Sequence, residues 1–427
     1  MRARVPEEPG SALLFWYRKV LRIYEAAKQI SQTSFARFVL RIQGCVCGIN
    51  GKRRKRNHVG GKGVMIKKKV VVGMSGGVDS SVAAYLLKEQ GYDVTGVTMQ
   101  MWQEETQGIP ERSGHGDGSG AAADARRVAQ VLDIPHYVMD FRDIFRCSVM
   151  DYFVEEYLSG RTPNPCIACN RYVKWEAMLR RSREIGADYI ATGHYARVVC
   201  LPNGRYAVSN SATARKDQTY ALYNLTQEQL AHTLMPTGEY TKEEIRRIAE
   251  EARLPVAHKP DSQEICFIPD HDYAAYIEKT AGERVPKAGN FVTKSGEVLG
   301  QHSGVIHYTV GQRKGLNLAL GHPVFVTQIK AETNEVVIGE AEDVFGDVLY
   351  CDHINYMGME DLPQPREVLA KIRYAHAGER CVIEPVEAGV IKCTFHNPVR
   401  AITPGQAVVF YEDGYVLGGG SIIGTQL

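Results

Sequence analysis

The 427-residue sequence has no apolar run approaching the ~20 residues that a bilayer-spanning helix needs, so no membrane partner is expected. It has ten cysteines, too few for a disulfide scaffold in a chain this long. A reducing compartment is expected, and with it a cytoplasmic location. Net charge is almost absent at +2, so bulk charge does not decide between nucleic acid and other partners. There is no internal repeat. A Walker loop is missing, because no glycine-rich turn ends in Gly-Lys-Ser/Thr, and so is the dinucleotide fingerprint Gly-x-Gly-x-x-Gly.

What is present is ordinary in bulk and specific in detail. The length asks for two or three domains. Residues 1–64 are rich in Arg and Lys, poor in acids, and include the run Lys52-Arg53-Arg54-Lys55-Arg56. This leader fits a transit peptide, a nucleic-acid arm, or a tail without function ahead of Met65. From Lys69 the rhythm becomes strand, turn, helix. Val70 to Met74 is a short apolar run suited to a parallel strand buried on both faces. Helices are expected over Ser80 to Gln90, Ala121 to Leu132 and Asp143 to Leu158. Strands are expected over Asp93 to Trp102, His136 to Phe141 and Tyr189 to Thr192. Such alternation implies an α/β domain with a doubly wound parallel sheet. Helices follow at Thr226 to His232 and Thr241 to Ala252, the second opened by a Thr241–Glu244 capping box. Beyond about Ala288, short β-branched runs alternate with Gly, Pro and Asn turns, which predicts one β-barrel or a pair of small ones. The expected division is 1–64, 65–225, 226–285 and 286–427.

Two stretches carry chemistry on their own. Ser75-Gly76-Gly77-Val78-Asp79-Ser80-Ser81 lies between a buried strand and a helix. Its glycines permit close backbone approach, and the helix N-terminus offers free N–H groups to an anion. Phosphate or pyrophosphate is the natural ligand; the plain alternative is an ordinary strand-to-helix turn. Gly160-Arg161-Thr162-Pro163-Asn164-Pro165-Cys166-Ile167-Ala168-Cys169-Asn170 combines two stiffening prolines with a C-x-x-C pair. That spacing suits a redox pair, a metal corner or a reactive thiolate. A structural zinc site would want two further ligands, and no second C-x-x-C follows. Cys266, in Asp261-Ser262-Gln263-Glu264-Ile265-Cys266-Phe267-Ile268, reads alone as a small buried hydrophobe. Cys147, Cys200, Cys351, Cys381 and Cys393 are expected to be packing residues.

The phosphate loop resembles that of the ATP pyrophosphatases, which cleave ATP between its α- and β-phosphates. Over about residues 66–427 the chain resembles the tRNA-specific 2-thiouridylase family. The resemblance rests on Gly73 to Ser80, Gly160 to Asn170, Ala191 to Arg197, Lys216 to Tyr220, the Cys266 segment and His307 to Arg313, in the family's order. It implies a catalytic domain of the adenine nucleotide alpha hydrolase type, a small central domain and a C-terminal β-barrel. It also implies ATP and Mg²⁺ as cofactors, tRNA with a wobble uridine as substrate, and a persulfide sulfur donor. Carried over by position, Gly73, Met74, Ser75, Gly76, Gly77, Val78, Asp79 and Ser80 would hold the phosphates. Met99 and Gly193 would flank adenine and ribose. Cys169 would be the nucleophile and Cys266 the persulfide carrier. Asn164, Pro165 and Cys166 would lie beside the target base. His194, Lys216, Asp217 and Gln218, with Arg373, Tyr374 and Gln406 from the barrel, would contact tRNA.

One position departs from the family. An Asp is expected three residues before the nucleophilic cysteine, where this chain has Cys166. Cys166, Cys169 and Cys266 thereby become a candidate ligand set for an iron–sulfur cluster, against the persulfide route, which needs no metal site.

Overall fold

The computed structural model describes residues 67–102, 119–260 and 265–427. The basic leader and the Asp261–Glu264 part of the Cys266 segment lie outside them. Residues 66–427 form one compact unit.

The expected strand–helix rhythm produces the parallel sheet. Strand β1 (Lys69–Gly73) is buried at four of its five positions, as an apolar run covered on both faces must be. Helix α1 (Val78–Glu89) follows directly, then β2 (Asp93–Gln100), α2 (Ser119–Val131) and β3 (His136–Asp140). The chain next crosses back to place β4 (Tyr189–Ala191) and β7 (Thr233–Leu234) on the other side of β1, giving the order β3-β2-β1-β4-β7, all parallel. The order reverses between β1 and β4. In open parallel sheets that crevice, at the carboxyl ends of the strands, is where ligands bind.

The long helix expected from Asp143 to Leu158 is interrupted. Helix α3 (Arg142–Phe145) passes into a π-helical turn, Arg146–Met150, before α4 (Asp151–Leu158). A second helical stretch was not legible in sequence: α5 (Pro165–Ala168), a π-helical segment Cys169–Ala177, and α6 (Met178–Glu184). Asn164 caps it, its side chain accepting from the Cys166 amide, and Pro165 takes the first helical position, where its missing N–H costs nothing. π-turns are rare and concentrate at functional sites.

Beyond the sheet, α7 (Gln227–Ala231) and α8 (Lys242–Glu251) both open with capping boxes, Thr226 with Gln229 and Thr241 with Glu244. Helix α9 (Tyr273–Ala281) leads to a four-stranded sheet: β8 (Gly289–Val292), β9 (Val298–His302), β10 (Phe325–Lys330) and β11 (Glu335–Gly339). The last six strands are β12 (Phe345–Tyr356), β13 (Arg366–Lys371), β14 (Glu379–Glu387), β15 (Val390–Arg400), β16 (Ala407–Glu412) and β17 (Tyr415–Gly424). Pairing of β12 with both β15 and β17 closes them into a barrel, which removes every free edge. The β-rich half is thus one closed six-stranded barrel plus a separate four-stranded sheet.

The barrel is not a bead on a string. A hairpin, β5 (Arg197–Cys200) and β6 (Tyr206–Ser209), leaves the parallel-sheet domain and joins β17 through the Tyr415–Ser209 pair. Val409, Tyr411 and Val416 of the barrel share a core with Trp175, Tyr220 and Tyr223. Cys351, Cys381 and Cys393 are buried, as expected of packing residues. Cys147 and Cys200 are instead exposed, Cys147 in the π-turn and Cys200 at the end of the β5 hairpin strand. Among the described residues no helix is long and apolar enough to cross a membrane.

Candidate active site

The phosphate loop occupies the reversal point of the sheet. It leaves β1 at Gly73 and turns at Gly76, whose φ of +69° suits glycine; a Cβ there would also lie 2.5 Å from the Ala121 carbonyl oxygen. Ser75 N–H donates to Ser80 Oγ at 3.2 Å, and Ser80 and Ser81 hydroxyls donate to the Gly77 carbonyl at 3.3 and 2.8 Å. Gly77 is the N-cap of α1 and no side chain caps that end, so the first-turn amides remain available to a ligand. From β4, Gly193 packs backbone to backbone on the same end: a Cβ on it would lie 2.5 Å from the Ser80 nitrogen.

Asp79 in the first turn of α1 is gripped by two groups. Lys242 Nζ and Tyr195 OH each lie 2.7 Å from its Oδ1. On the opposite side of the loop, Lys259 Nζ donates to the Gly76 carbonyl at 3.2 Å and pairs with Asp124 at 2.6 Å.

The end of β2 links this loop to the cysteines. The Met99 methyl lies 3.5 Å from where a Gly73 Cβ would stand, and Met101 Sδ is 4.0 Å from Cys169 Sγ. Cys169 is buried at the head of the π segment, and burial raises its thiol to about 11, the Lys174 ammonium opposing the rise. Cys266 presents part of its surface to solvent, yet the protein around it raises its thiol to about 12, with Cys169 and Cys166 adding to the effect. Three thiols separated by up to a hundred positions in sequence therefore share one electrostatic neighbourhood. All described cysteines are free, and no group of three or more His, Cys, Asp or Glu among the described residues is arranged to hold a metal ion.

His194, following Gly193, is turned inward. Its ring lies 5.3 Å from that of Trp175, Nδ1 is 2.8 Å from Thr192 Oγ1, and burial pushes its pKa well below the usual histidine range, which leaves the imidazole neutral.

Models of three domains match in succession: a tRNA methyl transferase HUP domain over residues 68–270, its PRC-barrel domain over 275–340, and an aminomethyltransferase beta-barrel domain over 346–422. The chain is 64% identical over 356 residues to a tRNA-specific 2-thiouridylase MnmA of Lachnoclostridium phytofermentans, covering 83% of this chain and 99% of that one. It is 59% identical to the MnmA of Clostridium perfringens (84% and 99% covered) and 54% identical to an MnmA of Clostridium botulinum (84% and 99%). The chain belongs to the tRNA-specific 2-thiouridylase family.

Against that family the remaining expected site residues divide. Cys166 is exposed beside the buried Pro165, and Tyr374 on the barrel, 49% exposed, has its phenol raised by partial burial and by nearby Asp217 and Cys166. The barrel edge therefore meets the C-x-x-C loop. Gln406 donates to the Thr162 and Pro163 carbonyls at 2.8 and 3.3 Å, fastening that loop to the barrel. Asp217 accepts from the Ser211 and Thr219 amides, and Gln218 from the Tyr195 amide, so these two side chains shape turns. Lys216 is half-buried in the same turn, and Arg373 donates to the Arg400 carbonyl at 2.8 Å. Lys174, Tyr195, Lys242 and Lys259 were missed in sequence. Only Lys174, five residues after Cys169, was within reach of a local argument.

Proposed function

We propose that the chain is a tRNA 2-thiouridylase that activates a wobble uridine with ATP and exchanges its 2-oxygen for sulfur carried on Cys266. The observation that supports this best is the bridge through β2, which brings an anion cradle at the sheet's reversal point next to a cluster of three cysteines.

The chemistry follows from leaving-group ability. The uridine O2 attacks the α-phosphorus of ATP; the bond to the β-phosphate oxygen breaks and pyrophosphate departs into the Ser75–Ser81 loop. Its charge is met there by the α1 N-terminus and the loop hydroxyls. Mg²⁺ would travel on the phosphate oxygens, with Asp79 the loop's carboxylate, and would offset their charge. Met99 and Gly193 line the nucleoside end. A relay protein loads Cys266 as a persulfide. The terminal sulfur, losing its proton, attacks C2 and AMP leaves with the former O2. The Cys169 thiolate then attacks Cys266 Sγ and the S–S bond breaks. The bonding pair goes to the sulfur on uridine, and a Cys169–Cys266 disulfide forms. An external dithiol returns two electrons and two protons to reset it. Disulfide formation needs the Cys169 and Cys266 Cα atoms ~4.4–6.8 Å apart at that step.

Asn164, Pro165 and Cys166 face the base pocket in this scheme, and Lys216, Arg373 and Tyr374 border the tRNA; His194, expected there too, is turned inward against Trp175 and shapes the loop instead. The base has to leave its stack to reach the thiols. The persulfide route is preferred because Cys169 and Cys266 match the family's nucleophile and carrier positions; iron and acid-labile sulfide analysis tests the iron–sulfur alternative with Cys166, Cys169 and Cys266 as ligands. The test is incubation with unmodified tRNA, ATP, Mg²⁺ and a persulfide donor, followed by nucleoside mass analysis. Wild type yields 2-thiouridine, and Cys169→Ser and Cys266→Ser each yield none while still binding ATP. Substantial product from Cys266→Ser would remove the sulfur-carrying role.

A further inference from the structure

The phosphate loop contains no lysine. A Walker loop carries its own, which reaches the β- and γ-phosphates. A loop that must hold pyrophosphate, several negative charges in a partly dry crevice, needs cationic partners from somewhere. The structure brings two lysines to it from far along the chain. Lys242 is buried at the first position of α8, with its Nζ 2.7 Å from Asp79 Oδ1. Lys259 has Nζ 3.2 Å from the Gly76 carbonyl oxygen, with Asp124 at 2.6 Å. They stand at the two ends of the loop, one on the α1 side and one on the Gly76 side.

We infer that Lys242 and Lys259 are the cationic half of the pyrophosphate site, supplying by tertiary contact the charge that a Walker loop carries within its own sequence. The inference rests on the ATP reading given above and adds residues to it. An ammonium has three donors. Lys259 spends one on the Gly76 carbonyl and one on Asp124, which leaves one to turn toward a phosphate oxygen arriving at the loop. Its contact with a carbonyl of the cradle also cancels the partial negative charge that would otherwise face the anion. Lys242 has a second function: it holds Asp79 in place together with Tyr195 OH, also 2.7 Å from Oδ1, so the carboxylate's charge is offset before the nucleotide enters. Binding energy is then spent on phosphate rather than on neutralising the site.

Two structural ion pairs, Lys242–Asp79 and Lys259–Asp124, are the plain alternative, and the two readings separate on ligand chemistry. If the lysines only brace the fold, their loss lowers stability and affects all nucleotides alike. If they meet the β- and γ-phosphates, loss falls on ATP and pyrophosphate and spares AMP. The experiment is calorimetric titration of the full chain with ATP, inorganic pyrophosphate and AMP at fixed Mg²⁺. Wild type, Lys259→Met, Lys242→Met and the two Lys→Arg variants are compared, each with a melting curve. Removing one charge-assisted contact should weaken ATP and pyrophosphate binding about ten- to hundredfold, leave AMP unchanged, and be partly restored by Arg. Wild-type affinity for pyrophosphate in folded Lys259→Met overturns the inference, as does equal loss of AMP and pyrophosphate. If Lys242→Met does not fold, Lys259→Met and Lys242→Arg decide. Wild type that binds neither ATP nor pyrophosphate overturns the ATP reading itself. Wild type that binds both, with unaffected variants, overturns only the role of the lysines.

Discussion

Gly77→Val separates what the fold needs from what the ligand needs. Three glycines line the phosphate crevice, and they are not equivalent. Gly76 has positive φ and a backbone contact where its Cβ would be, and a Cβ on Gly193 would lie 2.5 Å from the Ser80 nitrogen, so the fold itself demands both. Gly77 has φ −99° and ψ 168°, an extended conformation open to any residue, and a Cβ there would meet only Ser75 Oγ at 3.4 Å. Losing a favourable N-cap costs roughly 1 kcal/mol. The reduced freedom of the unfolded chain returns about 0.4–1 kcal/mol. The melting point should therefore move by no more than about 4 °C. Pyrophosphate, by contrast, has to approach the backbone at this residue. Forcing three extra carbons into a filled cradle costs about 1–3 kcal/mol, or about five- to 150-fold in ATP affinity. The assay is ATP titration paired with thermal melting, with Gly193→Ala as the contrasting variant, whose melting point should fall because its Cβ strikes backbone. Gly77→Val that binds ATP like wild type would refute the loop as the phosphate site. Gly77→Val that unfolds would refute the claim that the fold tolerates a side chain there.

Three further outcomes are expected. Because the protein raises the Cys169 and Cys266 thiols to about 11 and about 12, the thiolate is a small fraction of each at neutral pH; alkylation of either should rise about tenfold per pH unit up to pH 10, and Lys174→Met should slow Cys169 labelling by removing the charge that favours its thiolate. A plateau in labelling near pH 8 would contradict this. Anaerobically purified protein should carry no iron or acid-labile sulfide and still thiolate tRNA with a persulfide donor, and Cys166→Asp should remain active; about four irons per chain lost together with activity in Cys166→Ala would establish the cluster route. A chain starting at Met65 should bind ATP and thiolate tRNA, since the first core strand begins at Lys69, and failure to fold would show that the leader is structural.

Much of the fold is local and so was legible. A short apolar run followed by Ser-Gly-Gly and a helix start can form little else than a buried parallel strand feeding an anion-binding turn. The Thr241–Glu244 box marks its helix start by side-chain chemistry alone. Motif order was enough to fix the family, because six short segments in one sequence order constrain a chain far more than composition does. What stayed hidden depends on distance in space. The helix after Pro165 was missed because its prolines and cysteines suggested a stiff extended loop, while Asn164 in fact caps a helical turn there. The Asp143–Leu158 pattern is helical, but periodicity does not register one π-turn. Gln406 and Asp217 carry polar side chains whose use, on the Thr162 carbonyl or on neighbouring amides, is set by which strands the barrel brings alongside. Only the tertiary structure brings Cys166, Cys169 and Cys266 near one another and raises the Cys169 and Cys266 thiols. The same is true of Lys242 and Lys259, which reach the loop from 163 and 183 positions further along the chain. Hydrogen bonding to the next turn is written in sequence; desolvation and the field of distant charges are written only in the packing.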